Sequence, residues 1–203
     1  MAAARELVIA DEPAAWEALG FAPGDDGAVA LGGLLVRLVG RGAGRGIVEL
    51  RIDGLQGERP DGLPIVVASS GATSSSAHPN GALAIDHVVA FTDDRDRTAG
   101  ALALAGGDVR RRAEPPELPA PMAFVRFGEL IVEVAQAGGP PRFWGLTVTV
   151  ADLDALAGPP LGPARPAVQR GRRIATVGRD AGLSVALAFM SRAQDSNPPA
   201  ASG

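Results

Sequence analysis

A run of segments occurs twice in this chain in the same order, and it limits the possible folds more than any other pattern in the sequence. LGGLLVRL at 31–38 lies on FGELIVEV at 127–134 at an offset of 96, and VELRIDGL at 48–55 falls on LTVTVADL at 146–153 at an offset of 98. DGLPIVVA at 61–68 then matches AGLSVALA at 181–188. Each half also opens on a strand, an aspartate and a short helix. In the first these are ELVIA, Asp11 and EPAAWEALGF; in the second, DHVVAFT, Asp93 and an Arg- and Ala-rich helix ending at Gly106–Gly107. Aspartate ahead of a helix caps its free N–H groups, and glycine at the far end permits the left-handed exit. Each match alone is weak, but their common order argues for an internal duplication.

LIVEVAQ and LTVTVAD alternate apolar and polar residues, so each strand is expected to set one face on a core and the other toward a cleft or water. In the first half the second helix is reduced to LQGERPDG, which makes that half a trimmed copy. The reading is therefore a degenerate half at 1–68, a Ser-rich linker at 69–82, a complete half at 83–192 and a disordered tail at 193–203. His78 lies in the linker, and GDDG at 24–27 and GRGAGRG at 40–46 read as turns.

Composition narrows the chemistry. The 203 residues include no cysteine, all 19 basic residues are arginine, and the only histidines are His78 and His87. Without cysteine there is no disulfide, thiolate metal site or cysteine nucleophile. Without lysine there is no Schiff base and no lysine-dependent phosphate loop. A net charge of −4 speaks against a nucleic-acid or anionic-membrane surface. No stretch approaches the roughly 20 apolar residues of a spanning helix, and the N-terminal residues lack the pattern of a signal peptide. A cytoplasmic protein with a small-molecule ligand, no nucleic acid and no membrane is expected.

IDHVVAFTDD, FGELIVEVAQ, FWGLTVTVADLDALA and GRRIATVGRDAGLSVALAFM together resemble the vicinal oxygen chelate superfamily, whose members include glyoxalase I, extradiol dioxygenases and bleomycin-resistance proteins. The resemblance covers 84–191, with 6–68 as a worn copy. It implies an α+β fold of tandem βαβββ modules, curled into cup-shaped mixed sheets around a cleft where a divalent metal usually sits. Four modules can close both cups within one chain, so a monomer or a homodimer is expected. In glyoxalase I-type members the ligands come from four strand positions. Here these fall on His87, Glu133, Gly145 and Ala186, and the last two carry no ligating side-chain atom. Arg37 stands in the first half where Glu133 stands in the second. With two donors, a tightly bound divalent ion is not expected.

Three readings of His87 and Glu133 stay open: a weak two-ligand metal site, an acid–base pair acting on a carbon next to a carbonyl, or a buried hydrogen-bonded pair left from an ancestral site. Phe143 and Trp144 are adjacent on a strand, so one should pack in the core and the other line the cleft or a module interface. Arginines cluster at 110–112 and around 170–173. Arg172, with Gln169 nearby, is a candidate clamp for an anionic substrate, against the alternative of a solvated face. The function classes are a glyoxalase-like lyase or isomerase acting on a small carbonyl compound, a protein that sequesters a small molecule without turnover, and a module with a vestigial cleft.

Overall fold

The computed structural model describes residues 2–68 and 76–193. The first sheet is built from β1 (Ala3–Ile9), β2 (Ala28–Leu31), β3 (Leu34–Leu38), β4 (Ile47–Asp53) and β5 (Ile65–Val67), in the order β2-β3-β1-β4-β5. A short helix, α1 (Pro13–Glu17), follows β1. The second sheet has eight strands: β6 (Ala82–Thr92), β7 (Asp108–Ala113), β8 (Met122–Phe127), β9 (Leu130–Gln136), β10 (Arg142–Val150), β11 (Arg165–Pro166), β12 (Arg173–Thr176) and β13 (Ala186–Ser191). Their order is β11-β12-β13-β10-β6-β9-β8-β7, with α2 (Arg95–Leu104) between β6 and β7. This is an α+β protein of two cup-shaped mixed sheets. Among the described residues no helix is long and apolar enough to cross a membrane.

The strand pairings carry the repeat seen in the sequence. β6 and β10 run antiparallel at the centre of the large sheet, and each has the closing strand of its own module beside it in parallel, β9 and β13. In the small sheet β1 and β4 are the antiparallel central pair, flanked in parallel by β3 and β5. Register fixes the correspondence. Val8 pairs with Arg37 and Glu49, as Val89 pairs with Glu133 and Gly145. The offset between β4 and β10 is therefore 96, Glu49 to Gly145, rather than the 98 read from the sequence. Side chains alternate with a period of two, so a two-residue slip leaves every residue on its proper face, and the hydrophobic pattern cannot choose between the registers.

One cluster of buried apolar side chains runs through both sheets, including Leu7, Ile9, Leu50 and Ile52 from the first and Val88, Ala90, Val148 and Val150 from the second. Several residues join the halves in ways that differ from the sequence reading. Asp11 is not the N-cap of α1; Glu12 holds that position without a side-chain cap. Asp11 is instead fully buried, where it accepts from Trp16 Nε1 at 3.3 Å and from the Ser184 backbone N–H at 2.5 Å. The cap of α2 is Asp94, which accepts from the Arg97 N–H, while Asp93 pairs with the Arg97 guanidinium. His78 was expected in a linker, yet it is buried. Its Nδ1 accepts from the Ala22 N–H at 3.1 Å and its Nε2 donates to the Ala30 carbonyl at 2.8 Å. Buried polar groups require such partners, and these lie 48 and 56 positions away in sequence, beyond any local pattern. Residues 69–75 of the expected linker, and 194–203 of the expected tail, lie outside the described residues.

Candidate functional site

The apolar face of the large sheet packs on the shared core; the other face carries the polar residues. Along β9, Leu130, Val132 and Val134 are buried in the core while Ile131 and Glu133 turn the other way. Because the sheet curls, its two edges flank its centre. Arg110 and Arg111 on edge strand β7, Arg165 on the opposite edge strand β11, and His87 and Glu133 on β6 and β9 all line one cavity of about 730 Å³. Ile131, Phe124, Met190 and Ile174 supply much of its apolar wall. That volume and lining suit a small organic molecule.

A β-bulge at Asp86 and His87 sets the chemistry. Thr147 pairs with His87, but the next residue, Val148, pairs with Ile85, so Asp86 is the extra residue. In a regular strand Asp86 and His87 would point to opposite faces; the bulge turns both toward the cavity. His87 Nδ1–H donates to Asp86 Oδ2 at 2.9 Å, which leaves Nε2 facing Glu133 Oε2 at 3.6 Å. Asp86 Oδ1 accepts from Arg172 at 2.5 Å and from Thr149 Oγ1 at 3.3 Å, and Arg172 also donates to Thr149 Oγ1 at 3.0 Å and the Ser191 carbonyl at 2.9 Å. Burial pushes Asp86 up, but the hydrogen bonds from His87 and Arg172 outweigh it and hold the carboxyl below its ordinary range. Glu133 moves the other way. Its desolvation in the wall, aided by the negative Asp86, exceeds the attraction of His87 and raises its proton affinity. Two neighbouring carboxyls are thus driven apart, one fixed as the anion that orients an imidazole and one poised to exchange a proton.

Two of the expected substrate contacts are placed elsewhere. Phe143 packs partly buried against the hydrophobic core, and Trp144 is 51% exposed, stacked on Phe91 at a centroid distance of 5.2 Å. Neither lines the cavity. Phe143 is thus the residue of the pair that packs on the core, and Trp144 does not reach the cavity: β10 is irregular there, with Phe143 paired with Ala90 and Gly145 with Val89, leaving Trp144 unpaired. Gln169 does line the cavity. Arg172 does not; it donates to Asp86, Thr149 and the Ser191 carbonyl, and it lines a separate cavity with Ser191 and Asp154. Gly145 and Ala186 face each other across β10 and β13, and a side chain at Gly145 would meet the Ala186 carbonyl oxygen at 2.5 Å. Close approach of two strands therefore explains that glycine. Asp86 and Arg165, absent from the sequence reading, are brought in by the bulge and by the curl of the sheet.

The donor set does not fit a tightly held metal ion. Among the described residues no group of three or more His, Asp or Glu side chains is placed to share one. Both Asp86 oxygens are engaged, and His87 Nε2 with Glu133 leaves two donors where stable sites use three or four. At the corresponding places in the small sheet, Glu6 stands for His87, Arg37 for Glu133 and Arg51 for Thr147. Glu6 pairs with both Arg37 and Arg51, and Glu49 completes Arg51 at 2.5 Å, a self-neutralising cluster.

No protein-family model matches the sequence, and no curated protein matches it. Among solved structures, a xylose isomerase-like TIM barrel/4-hydroxyphenylpyruvate dioxygenase fusion protein superposes with a TM-score of 0.63 over 98% of this chain, at 12% identity. The chain has the vicinal oxygen chelate fold. It spans 50% of the length of that fusion protein. A methylmalonyl-CoA epimerase from Mycobacterium tuberculosis gives a shorter match (TM-score 0.45, 15% identity, 54% of this chain and 87% of that one). A Streptomyces coelicolor methylmalonyl-CoA epimerase in complex with 2-nitronate-propionyl-CoA gives 0.44 and 18%, over 54% of this chain and 96% of that one. The vicinal oxygen chelate fold seats the cavity on the concave side of its large sheet, with His87 and Glu133 on neighbouring strands at the floor.

Proposed function

We propose that this protein is a lyase or isomerase that moves a proton on a carbon next to a carbonyl group of a small molecule, with Glu133 and His87 as its catalytic residues and no tightly bound metal. One observation carries the reading. Glu133 is a cavity-facing carboxyl whose side chain is 13% exposed; among the described residues its one ion-pair neighbour is His87 Nε2 at 3.6 Å, it accepts no hydrogen bond and it pairs with no arginine. A structural carboxylate buried to that degree is normally paired. In the forward step the C–H bond breaks, its proton passes to a Glu133 oxygen, and the electron pair moves onto the carbonyl oxygen as an enolate. His87 is oriented by Asp86 through Nδ1, and in its imidazolium form it offers Nε2–H to that oxygen or returns a proton to carbon. Collapse of the enolate with return of the proton to carbon gives isomerisation; expulsion of a leaving group gives elimination.

The experiment is solvent exchange. The protein is incubated in D2O with hydroxyacetone, with the hemithioacetal of methylglyoxal and glutathione, and with 4-methyl-2-oxopentanoate, and deuterium entering next to the carbonyl is followed by NMR. Exchange that is lost in Glu133→Gln and in His87→Ala supports the reading. Exchange that persists in both variants refutes it. Binding without turnover is the second reading, favoured by the lack of donors on β10 and β13; a probe that binds the cavity and exchanges nothing would select it.

A further inference from the structure

We propose that the cavity is a site for a small organic carboxylate whose anionic group binds Arg165 while its carbonyl end reaches His87 and Glu133; only that orientation rests on the proton-transfer reading above. The charges around the cavity are not balanced. Three guanidinium groups line it, from Arg110, Arg111 and Arg165. Arg110 pairs with Asp108 at 3.0 Å, a carboxylate that Arg126 shares at 3.4 Å, and Arg111 pairs with Glu117 while lying over the Phe124 ring. Arg165 has no carboxylate at ion-pair distance among the described residues, and its guanidinium donates no hydrogen bond there. On the floor, Asp86 is already held by His87 and Arg172, and Glu133 faces His87 Nε2 at 3.6 Å rather than Arg165.

The position of Arg165 is fixed by the fold. It sits on edge strand β11, opposite Ile174 of β12, and Ile174 and the loop residue Gln169 face the same cavity. A ligand held there spans the distance from the sheet's edge to its centre, across the apolar surface of Ile131, Ile174 and Met190. Of the three lining guanidinium groups Arg165 alone has no carboxylate at ion-pair distance among the described residues, and its planar fork of N–H donors matches a carboxylate in both charge and geometry. A phosphate monoester, with a charge of about −1.5 to −2 at neutral pH, would overfill it. The ligand is therefore a monoanion with an apolar middle and a carbonyl at its far end.

The test uses the whole chain and three probes: 5-oxohexanoate, its neutral methyl ester, and dihydroxyacetone phosphate. Calorimetry and saturation-transfer NMR read the binding. The oxo acid is expected to bind at least roughly tenfold tighter than its ester and no weaker than the phosphate. Arg165→Gln should remove that advantage while leaving the ester unchanged, and Arg142→Gln, an arginine outside the cavity, should change neither. Equal binding of acid and ester, an Arg165→Gln variant with wild-type affinity for the acid, tighter binding of the phosphate through Arg165, or no binding of any probe would each overturn the proposal. The two readings separate cleanly. Arg165-dependent binding of the oxo acid without exchange of its C4 and C6 hydrogens in D2O sustains the site and sinks the proton transfer. Exchange that ignores Arg165 does the reverse.

Discussion

Replacing Arg172 by methionine isolates the device that holds the site together. The guanidinium donates to Asp86 Oδ1 at 2.5 Å, to Thr149 Oγ1 at 3.0 Å and to the Ser191 carbonyl at 2.9 Å. Methionine keeps much of the stem's packing and removes all three bonds. Removing one partner of a buried ion pair costs about 3–5 kcal/mol. The Arg172 and Asp86 side chains retain 14% and 18% of their exposure, so the lower end applies, about 3 kcal/mol. With a urea dependence near 2 kcal/mol per molar, the unfolding midpoint should fall by about 1.5 M. The pH dependence has a definite sign. Asp86 is held below its ordinary 3.8 in the folded state, so its pairing contributes fully above that pH and is lost as pH falls through the folded value. The deficit of Arg172→Met should accordingly be complete at neutral pH and shrink in acid. In an Asp86→Asn background the same substitution should cost less, by about 1–3 kcal/mol of coupling. An equal, pH-independent cost in both backgrounds would show that Arg172 acts through packing alone and does not orient the Asp86–His87 pair.

Glu133→Gln should trade activity for stability. Burial raises the folded-state affinity of Glu133 for its proton, so its contribution to stability is present below its ordinary 4.5 and is lost as pH rises through the folded value. The variant should be more stable than wild type at pH 8, by about 1 kcal/mol, with the gap closing in acid, and should lose on the order of a hundredfold in any exchange rate; a less stable variant at pH 8 would mean that the attraction of His87 outweighs the burial of Glu133. Asp11→Ala leaves Trp16 Nε1 and the Ser184 N–H without their acceptor. It should cost about 2–4 kcal/mol in urea unfolding, and a loss well below that would show the junction is held by packing alone. Trp144→Ala should cost about 1 kcal/mol for the lost stack on Phe91. Calorimetry should find its affinity for the oxo acid within about twofold of wild type, and a large loss would return Trp144 to the binding site.

Much of the frame was legible because strands write themselves as alternation. The LIVEV run by its alternation alone places Val132 inward and Glu133 outward, and the family resemblance picks out His87 and Glu133 as partners on neighbouring strands. What failed were inferences that assume regular strands and local partners. Phe143 and Trp144 fall beside one irregularity of β10, and Asp86 joins His87 only through another. Arg172 reads as a surface clamp because nothing local ties it to Asp86, which lies 86 positions away. Asp11 reads as a helix cap because its true acceptor role involves Ser184, 173 positions on.

Residue order alone settles the α+β class, the twice-repeated order of strands and the chemical limits set by the absence of cysteine and lysine. Those follow from side-chain periodicity and inventory, which need nothing beyond the chain itself. Which groups meet depends on the folded molecule: a bulge that turns Asp86 and His87 to one face, a register two residues from the one the pattern allowed, and a curled sheet that sets Arg165 and Arg110 at opposite rims over Glu133. A period of two fixes the face a residue occupies but not its place along the strand or its partner across the sheet, and the chemistry of this cavity depends on both.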